Sequence, residues 1–398
     1  MNAPERFVDA EDRLHEQAIA AAGSDDFGDA FYRDGLRRIL AGYDAEARFH
    51  EAGRSLAWQA LVETLARRLR ANRLLAEHEA GGAGSGAAGD APLVITGLVR
   101  TGSTALHHVF GADPAWRALP YWLACHPRPE PPRERWSDEP GYVAARDELD
   151  QMYAADPSLR SIHNMEADAP EECRHFLAQS FTDDYFEVNT TMPSYVAWYE
   201  TCRPVASYRH HRRLLELVGA GGETRPWVLK YPVHLKHLDA LLEVYPDARI
   251  VWTHRDPSMV LASYTSLIAG FRAVFEERID REAIVREQTE VWAAATERAI
   301  GVRDRIGDDR FYDLEFAAFA ADPVGAVARI HGHFGLEFSD ASRAALDAWC
   351  GANPRGKHGE HRYATDGPAL DRGAVADRFA VYTERFALAD EAARGASS

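Results

Sequence analysis

PLVITGLVRTGSTALHHVF, residues 92–110, decides the fold. Its first part, PLVITGL (92–98), is a short apolar run with β-branched residues, the composition of a strand buried on both faces. That run passes straight into Gly97-x4-Gly102-Ser103-Thr104, the spacing of a phosphate loop with Ser where nucleotide triphosphatases carry Lys. Glycines let such a backbone curl without Cβ clashes, so that successive N–H groups converge on one point. A helix starting near Ser103 adds its unpaired N–H groups and the positive end of its dipole. Arg100 and the hydroxyls of Thr101, Ser103 and Thr104 complete an anion cradle. Taken alone, the stretch also reads as a ligand-free strand-to-helix turn rich in small residues.

Outward from this stretch, strands and helices alternate. RPWVLKYP (225–232) is a second buried-strand candidate, HLKHLDALLEVYP (234–246) is helical by period, and ARIVWTHRD (248–256) is a third apolar strand. Pro257 opens a helix at a favoured first position. Residues 281–306 are helical, FYDLEF (311–316) is a further strand, and DPVGAVARIHGHFGL (322–336) starts another helix. This order predicts a parallel sheet built from βαβ units, an α/β, P-loop-like three-layer fold flanked by helices. Upstream, Leu36, Ile39 and Leu40, then Leu56, Leu61, Leu65 and Leu69, recur at helical spacing. Residues 1–90 are therefore a helical N-terminal region packed on a main domain, 91–398. The glycine-rich run AGGAGSGAAGDAP (80–92) is a loop between them. The stretch 110–225, rich in Pro, His and aromatics, gives mixed helix and loop signals.

Composition narrows the partners. The chain has 398 residues, 46% hydrophobic and 27% charged, the balance of a globular protein. Its charge, 45 − 62 = −17, argues against nucleic acid and anionic membrane as partners. An anion site here must be a concentrated basic pocket. Cys125, Cys173, Cys202 and Cys350 are scattered, which reads as reduced thiols and no metal site. The charged N-terminus has no apolar leader segment, so a cytoplasmic location is expected.

A second anion element follows the third strand. Arg255 stands at its carboxyl end, the edge where open α/β sheets bind ligands, and Ser263 lies eight residues on, in the next helix. A surface salt bridge for Arg255 and simple packing for Ser263 remain the alternative. The missing loop Lys disfavours an ATP-dependent phosphotransferase, which would need that Lys and an acidic magnesium ligand at a strand end.

With these pieces together, the chain resembles the sulfotransferases that use 3′-phosphoadenosine-5′-phosphosulfate, in their large bacterial branch. The matching stretches are ITGLVRTGSTALHHVF, RPWVLKYPVHLKHLDALLEVYPDARIVWTHRDPSMVLAS, DLEFAAFAADPVGAVARIHGHFGL and GKHGEHRY, across roughly 92–385. The resemblance implies that Arg100, Thr101, Gly102, Ser103 and Thr104 hold the 5′-phosphosulfate. It implies that Arg255 and Ser263 hold the 3′-phosphate, joined by Arg355 and Lys357 of the RGK run. Lys230 matches the Lys that stabilises charge on the leaving group. The acceptor is expected to be a small molecule with a hydroxyl or amine.

The base is less determined. Many relatives carry Glu after Trp where this chain has Leu123 in PYWLACHPRPEPP (120–132), and His126 is the nearest replacement. His163, Glu166 and His234 are further candidates. Asp168, Glu171 and Glu172 sit where a helix begins and read as helix N-terminus charges. His210 and His211, followed by Arg212 and Arg213, read as solvated or interface residues. Tyr121, Trp122, Tyr185, Phe186, Tyr195 and Trp198 are pocket-lining or core. Because Leu123 replaces the acid, a nucleotide-binding pseudoenzyme of the same fold stays open as an alternative. The oligomeric state is not readable from the sequence.

Overall fold

Five short segments with buried side chains, Leu93–Gly97 (β1), Arg117–Ala118 (β2), Trp227–Lys230 (β3), Arg249–His254 (β4) and Phe311–Glu315 (β5), pair as parallel strands. This computed structural model describes residues 2–81, 91–157, 160, 164–222, 224–354 and 370–388. The strand order is β2-β3-β1-β4-β5, so β1 is central, and every strand ends at the same edge. Period-two alternation along the strands feeds two separate cores. Leu93, Ile95, Val228 and Val251 pack with Leu106, Val327, Ile330 and Leu346 on one face. Val94, Leu229, Ile250 and Trp252 join a larger cluster on the other. Helices therefore cover both faces, which gives the three layers. The two-residue β2 has no apolar run of its own and is found only through its pairing with β3.

The N-terminal region forms α1 (Glu11–Ala22), α2 (Tyr32–Ala45) and α3 (Glu51–Ala80). Their buried residues Leu14, Leu36, Ile39, Leu61, Leu65 and Leu69 belong to the same cluster as Val94 and Trp252. Leu56, expected on that stripe, is 42% exposed, and Trp58 fills the core instead. Buried Arg68 of α3 lies 4.7 Å from the ring centroids of Phe31 and Tyr32 and donates to the carbonyls of Phe27, Asp29 and Gln179. It thereby fastens α3 to the middle segment.

That middle segment is built from short helices, among them Tyr121–Cys125, Pro140–Ala155, Arg174–Leu177, Tyr185–Asn189 and Val205–Gly219. His210 and His211 correct the sequence reading. Both are buried, His210 on Gln179 Oε1 at 3.1 Å and His211 on Tyr245 Oη at 2.7 Å, because they lie on the apolar face of their helix. Arg212 and Arg213 do face outward, paired with Glu216 and Glu79. All four cysteines are free thiols. Among the described residues no helix is long and apolar enough to cross a membrane, and no acid, His and Cys cluster has the make-up of a metal site.

Candidate functional site

The register places the functional groups side by side. Ile95 pairs with Lys230 and Gly97 with Thr253, so the carboxyl ends of β3, β1 and β4 form one shelf. At Gly97, φ is +145°, and an added Cβ would lie 2.3 Å from the Thr253 carbonyl oxygen, so only glycine fits. The helix Ser103–Ala112 (α4) begins at Gly102, where φ is +80°. A Cβ there would come within 2.8 Å of the Phe316 ring, which again requires glycine. The first amides of α4 have no partner one turn back and point out of the helix start. Arg100 sits between these glycines with φ +61°, a conformation that costs a non-glycine residue on the order of 1 kcal/mol.

Two contacts hold Arg100 there. Its Nε donates to Ser263 Oγ at 3.0 Å, and Arg255 Nη1 donates to its carbonyl at 3.2 Å. The loop 97–104 and the element 255–263 therefore meet directly. The Arg255 guanidinium also lies 4.3 Å from the Phe316 ring centroid, a cation–π contact that fixes its direction. Thr101 is buried and its hydroxyl donates to the Leu98 carbonyl at 2.7 Å, with Thr253 Oγ1 at 2.6 Å. Its side chain braces the loop. Ser103 and Ser263 are likewise buried at the shelf. Arg355 and Lys357 lie outside the described residues.

Lys230 is 2% exposed and reaches across from β3. Its Nζ donates to Thr104 Oγ1 at 2.8 Å and makes a close ion pair with Glu172. Glu172 is the residue the sequence reading assigned to a helix start. Its amide instead bonds the Glu171 carboxylate at 2.9 Å, and its side chain turns onto the lysine. The signal that was available is its place in PEEC, two residues before Arg174, but nothing local gives its direction. A small cleft beside this pair is lined by Thr104, His107, Glu166, Glu171, Glu172 and Lys230. Next to Lys230, Tyr231 Oη contacts Asp183 Oδ1 at 2.9 Å and Asp184 Oδ1 at 2.5 Å. Burial pushes both carboxyls above their usual range.

His126 is not brought to this cluster. It ends the helix Tyr121–Cys125, and Arg67, Arg70 and Glu63 of α3 are the charges around it. Burial, and then the two arginines, lower its imidazole to about 4. Leu123 is fully buried. His234 is a core histidine 3.0 Å from Tyr208 Oη, and burial holds it neutral. His163 lies outside the described residues. Glu166 is at the cleft, 3.2 Å from Asn164 Nδ2. Asp168 is paired with Arg133 at the surface. Tyr121, Trp122, Phe186 and Tyr195 are buried in the main core, Tyr185 and Trp198 only partly.

Comparison with known proteins bears on the family and the fold. The family model described as the sulfotransferase family matches residues 92–340. The crystal structure of sulfotransferase STF1 from Mycobacterium tuberculosis superposes with a TM-score of 0.84 at 35% identity, covering 93% of this chain and 98% of that one. Sulfotransferase STF9 from Mycobacterium avium superposes with a TM-score of 0.86 at 25% identity, covering 96% and 97%. Among curated sequences, the omega-hydroxy-beta-dihydromenaquinone-9 sulfotransferase Stf3 of M. tuberculosis and of Mycobacterium bovis is 29% identical over 115 residues, 27% of this chain. The chain spans about 28% of the length of these curated relatives.

Proposed function

Since the chain belongs to the sulfotransferase family, we propose that it is an enzyme that transfers a sulfuryl group from 3′-phosphoadenosine-5′-phosphosulfate to a hydroxyl or amine of a small-molecule acceptor. The observation that carries the reading is the direct contact of Arg100 with Ser263 and of Arg255 with the Arg100 carbonyl. A nucleotide with phosphates at both its 5′ and 3′ positions fits two cationic elements locked at one edge, whereas a nucleotide with one phosphate chain has no use for the second. The glycines at 97 and 102, each closed to a Cβ, leave the loop backbone free to curl around an anion.

When bound, the nucleotide supplies the activated sulfuryl group. The amides of residues 101–104 and the Arg100 side chain would hold its 5′ end, and Arg255 and Ser263 its 3′-phosphate, joined by Arg355 and Lys357. Lys230 stands beside Thr104 at the loop, where it compensates charge developing on the leaving phosphate oxygen. Glu172, in contact with Lys230, is the carboxylate best placed to take the acceptor proton as the new S–O bond forms and the old one breaks. This assigns to Glu172 the role considered for His126. It also weakens the alternative of a pseudoenzyme, since an acid stands at the site although Leu123 does not provide one. The hydroxyl in the name of the relative Stf3 supports a hydroxyl acceptor.

Thermal shift tests the donor. Adenosine 3′,5′-bisphosphate is expected to raise the melting temperature, by about 2.7 kcal/mol of linkage at a hundredfold excess over Kd. ATP with magnesium should have little effect. Stabilisation by ATP and none by the bisphosphate would contradict the proposal.

A further inference from the structure

The end of β4 is held by a chain of hydrogen bonds whose direction can be worked out atom by atom. Asp313 on β5 receives both Arg303 Nη1 and Nη2, at 2.7 and 2.9 Å, and His254 Nε2 lies 2.9 Å from its Oδ1. Burial opposes ionisation of Asp313, yet His254 and Arg303 hold its carboxyl down at about 2. A carboxylate accepts only, so the single proton of a buried neutral His254 is on Nε2. Its Nδ1 is then a bare acceptor, 2.9 Å from Tyr382 Oη, and the Tyr382 hydroxyl must donate to it. Tyr382 O–H and His254 N–H thus run in one sense towards Asp313, and neither can be reversed. Tyr382 is fully buried, and the Phe386 ring packs on His254 at 4.2 Å and on Trp252 at 4.9 Å.

From this we propose that Tyr382, in the helix Ala380–Arg385, is a positioning residue that sets selectivity for a 3′-phosphate by fixing His254 at the end of β4, the residue directly before Arg255. This rests on the assignment of Arg255 to the 3′-phosphate and deepens it. Without the hydroxyl, His254 Nδ1 loses its donor and the end of β4 its anchor, while the ring remains to fill the core. The guanidinium then aims less well, although Phe316 still attracts it. The 5′ end of the nucleotide, held by residues 100–104, is untouched.

Calorimetric titration of the full-length Tyr382→Phe variant with two nucleotides tests this. Adenosine 3′,5′-bisphosphate is expected to bind about fivefold more weakly than to the parent, the scale of one net hydrogen bond. Adenosine 5′-monophosphate, which lacks the 3′-phosphate, should bind both proteins equally. Equal losses for the two nucleotides, or none for either, would overturn the positioning role. If the parent itself does not prefer the bisphosphate, the assignment of Arg255 has failed and not the role of Tyr382. Should Tyr382→Phe not fold, Asp313→Asn, which weakens the far end of the same row, is expected to show the same selective loss at smaller size, and an unselective loss there overturns the proposal.

Discussion

The two halves of the site are made in different ways. The proposed nucleotide side, residues 97–104 and 253–263, comes from two unbroken stretches, each a strand end running into a helix start. Its groups are loop amides, aimed by glycine conformations and by strand register, and the side chains of Arg100, Arg255 and Ser263 beside them. The proposed acceptor side gathers Glu172 and Lys230 from separate short elements, and its working groups are side chains. Local rules therefore specify the first half, whereas packing of distant segments specifies the second.

Substitutions on the two sides should separate in kind as well as size. Glu172→Gln is expected to lower kcat by about 10²- to 10⁴-fold, the range of a general base, with bisphosphate affinity held within about twofold. A variant that loses nucleotide binding instead would move Glu172 to the other half. Arg255→Ala should do the reverse, weakening the bisphosphate by about 1.5–3 kcal/mol, read by calorimetry. Wild-type affinity there would mean that the second anion element is misassigned. His126→Asn, by contrast, should leave turnover within about twofold, since Arg67 and Arg70 and not the cleft surround it. A hundredfold loss would return His126 to the chemistry.

The buried histidines sharpen the contrast through pH. Burial lowers His107, His211 and His237 to about 3 and His126 to about 4, from an ordinary 6.5. Each has a lowered folded-state pKa but is a base, so the unfolded chain binds more protons between these values. Stability therefore falls as pH drops below about 6.5 and continues to fall towards 4, and melting curves across that window should show it. A melting temperature flat from 7 to 4.5 would mean that these rings keep their protons in the folded chain.

This division also explains what could be read in advance. The strand at 93–97, the loop glycines, and the strands ending at 230 and 254 were legible, because apolar runs and glycine positions act locally. That Arg255 and Ser263 could serve one anion was legible only as an expectation, since the turn between them had to bring them together. Glu172 was not, because its direction depends on the segment 164–172 packing beside β3, and no period or motif encodes that. His126 misled for the same reason: its short helix carries it to α3. His210 and His211 looked solvated beside two arginines, yet the turn of the helix carries the two histidines onto the buried face and the two arginines off it. The short strand at Arg117–Ala118 exists through its partner alone.

The most direct measurement is a crystal structure of the full chain with adenosine 3′,5′-bisphosphate. The 5′-phosphate is expected on the amides of residues 101–104, and the 3′-phosphate within hydrogen-bond reach of both Arg255 and Ser263. A nucleotide found with its 3′-phosphate in solvent, or bound away from the carboxyl ends of β1 and β4, would contradict the account.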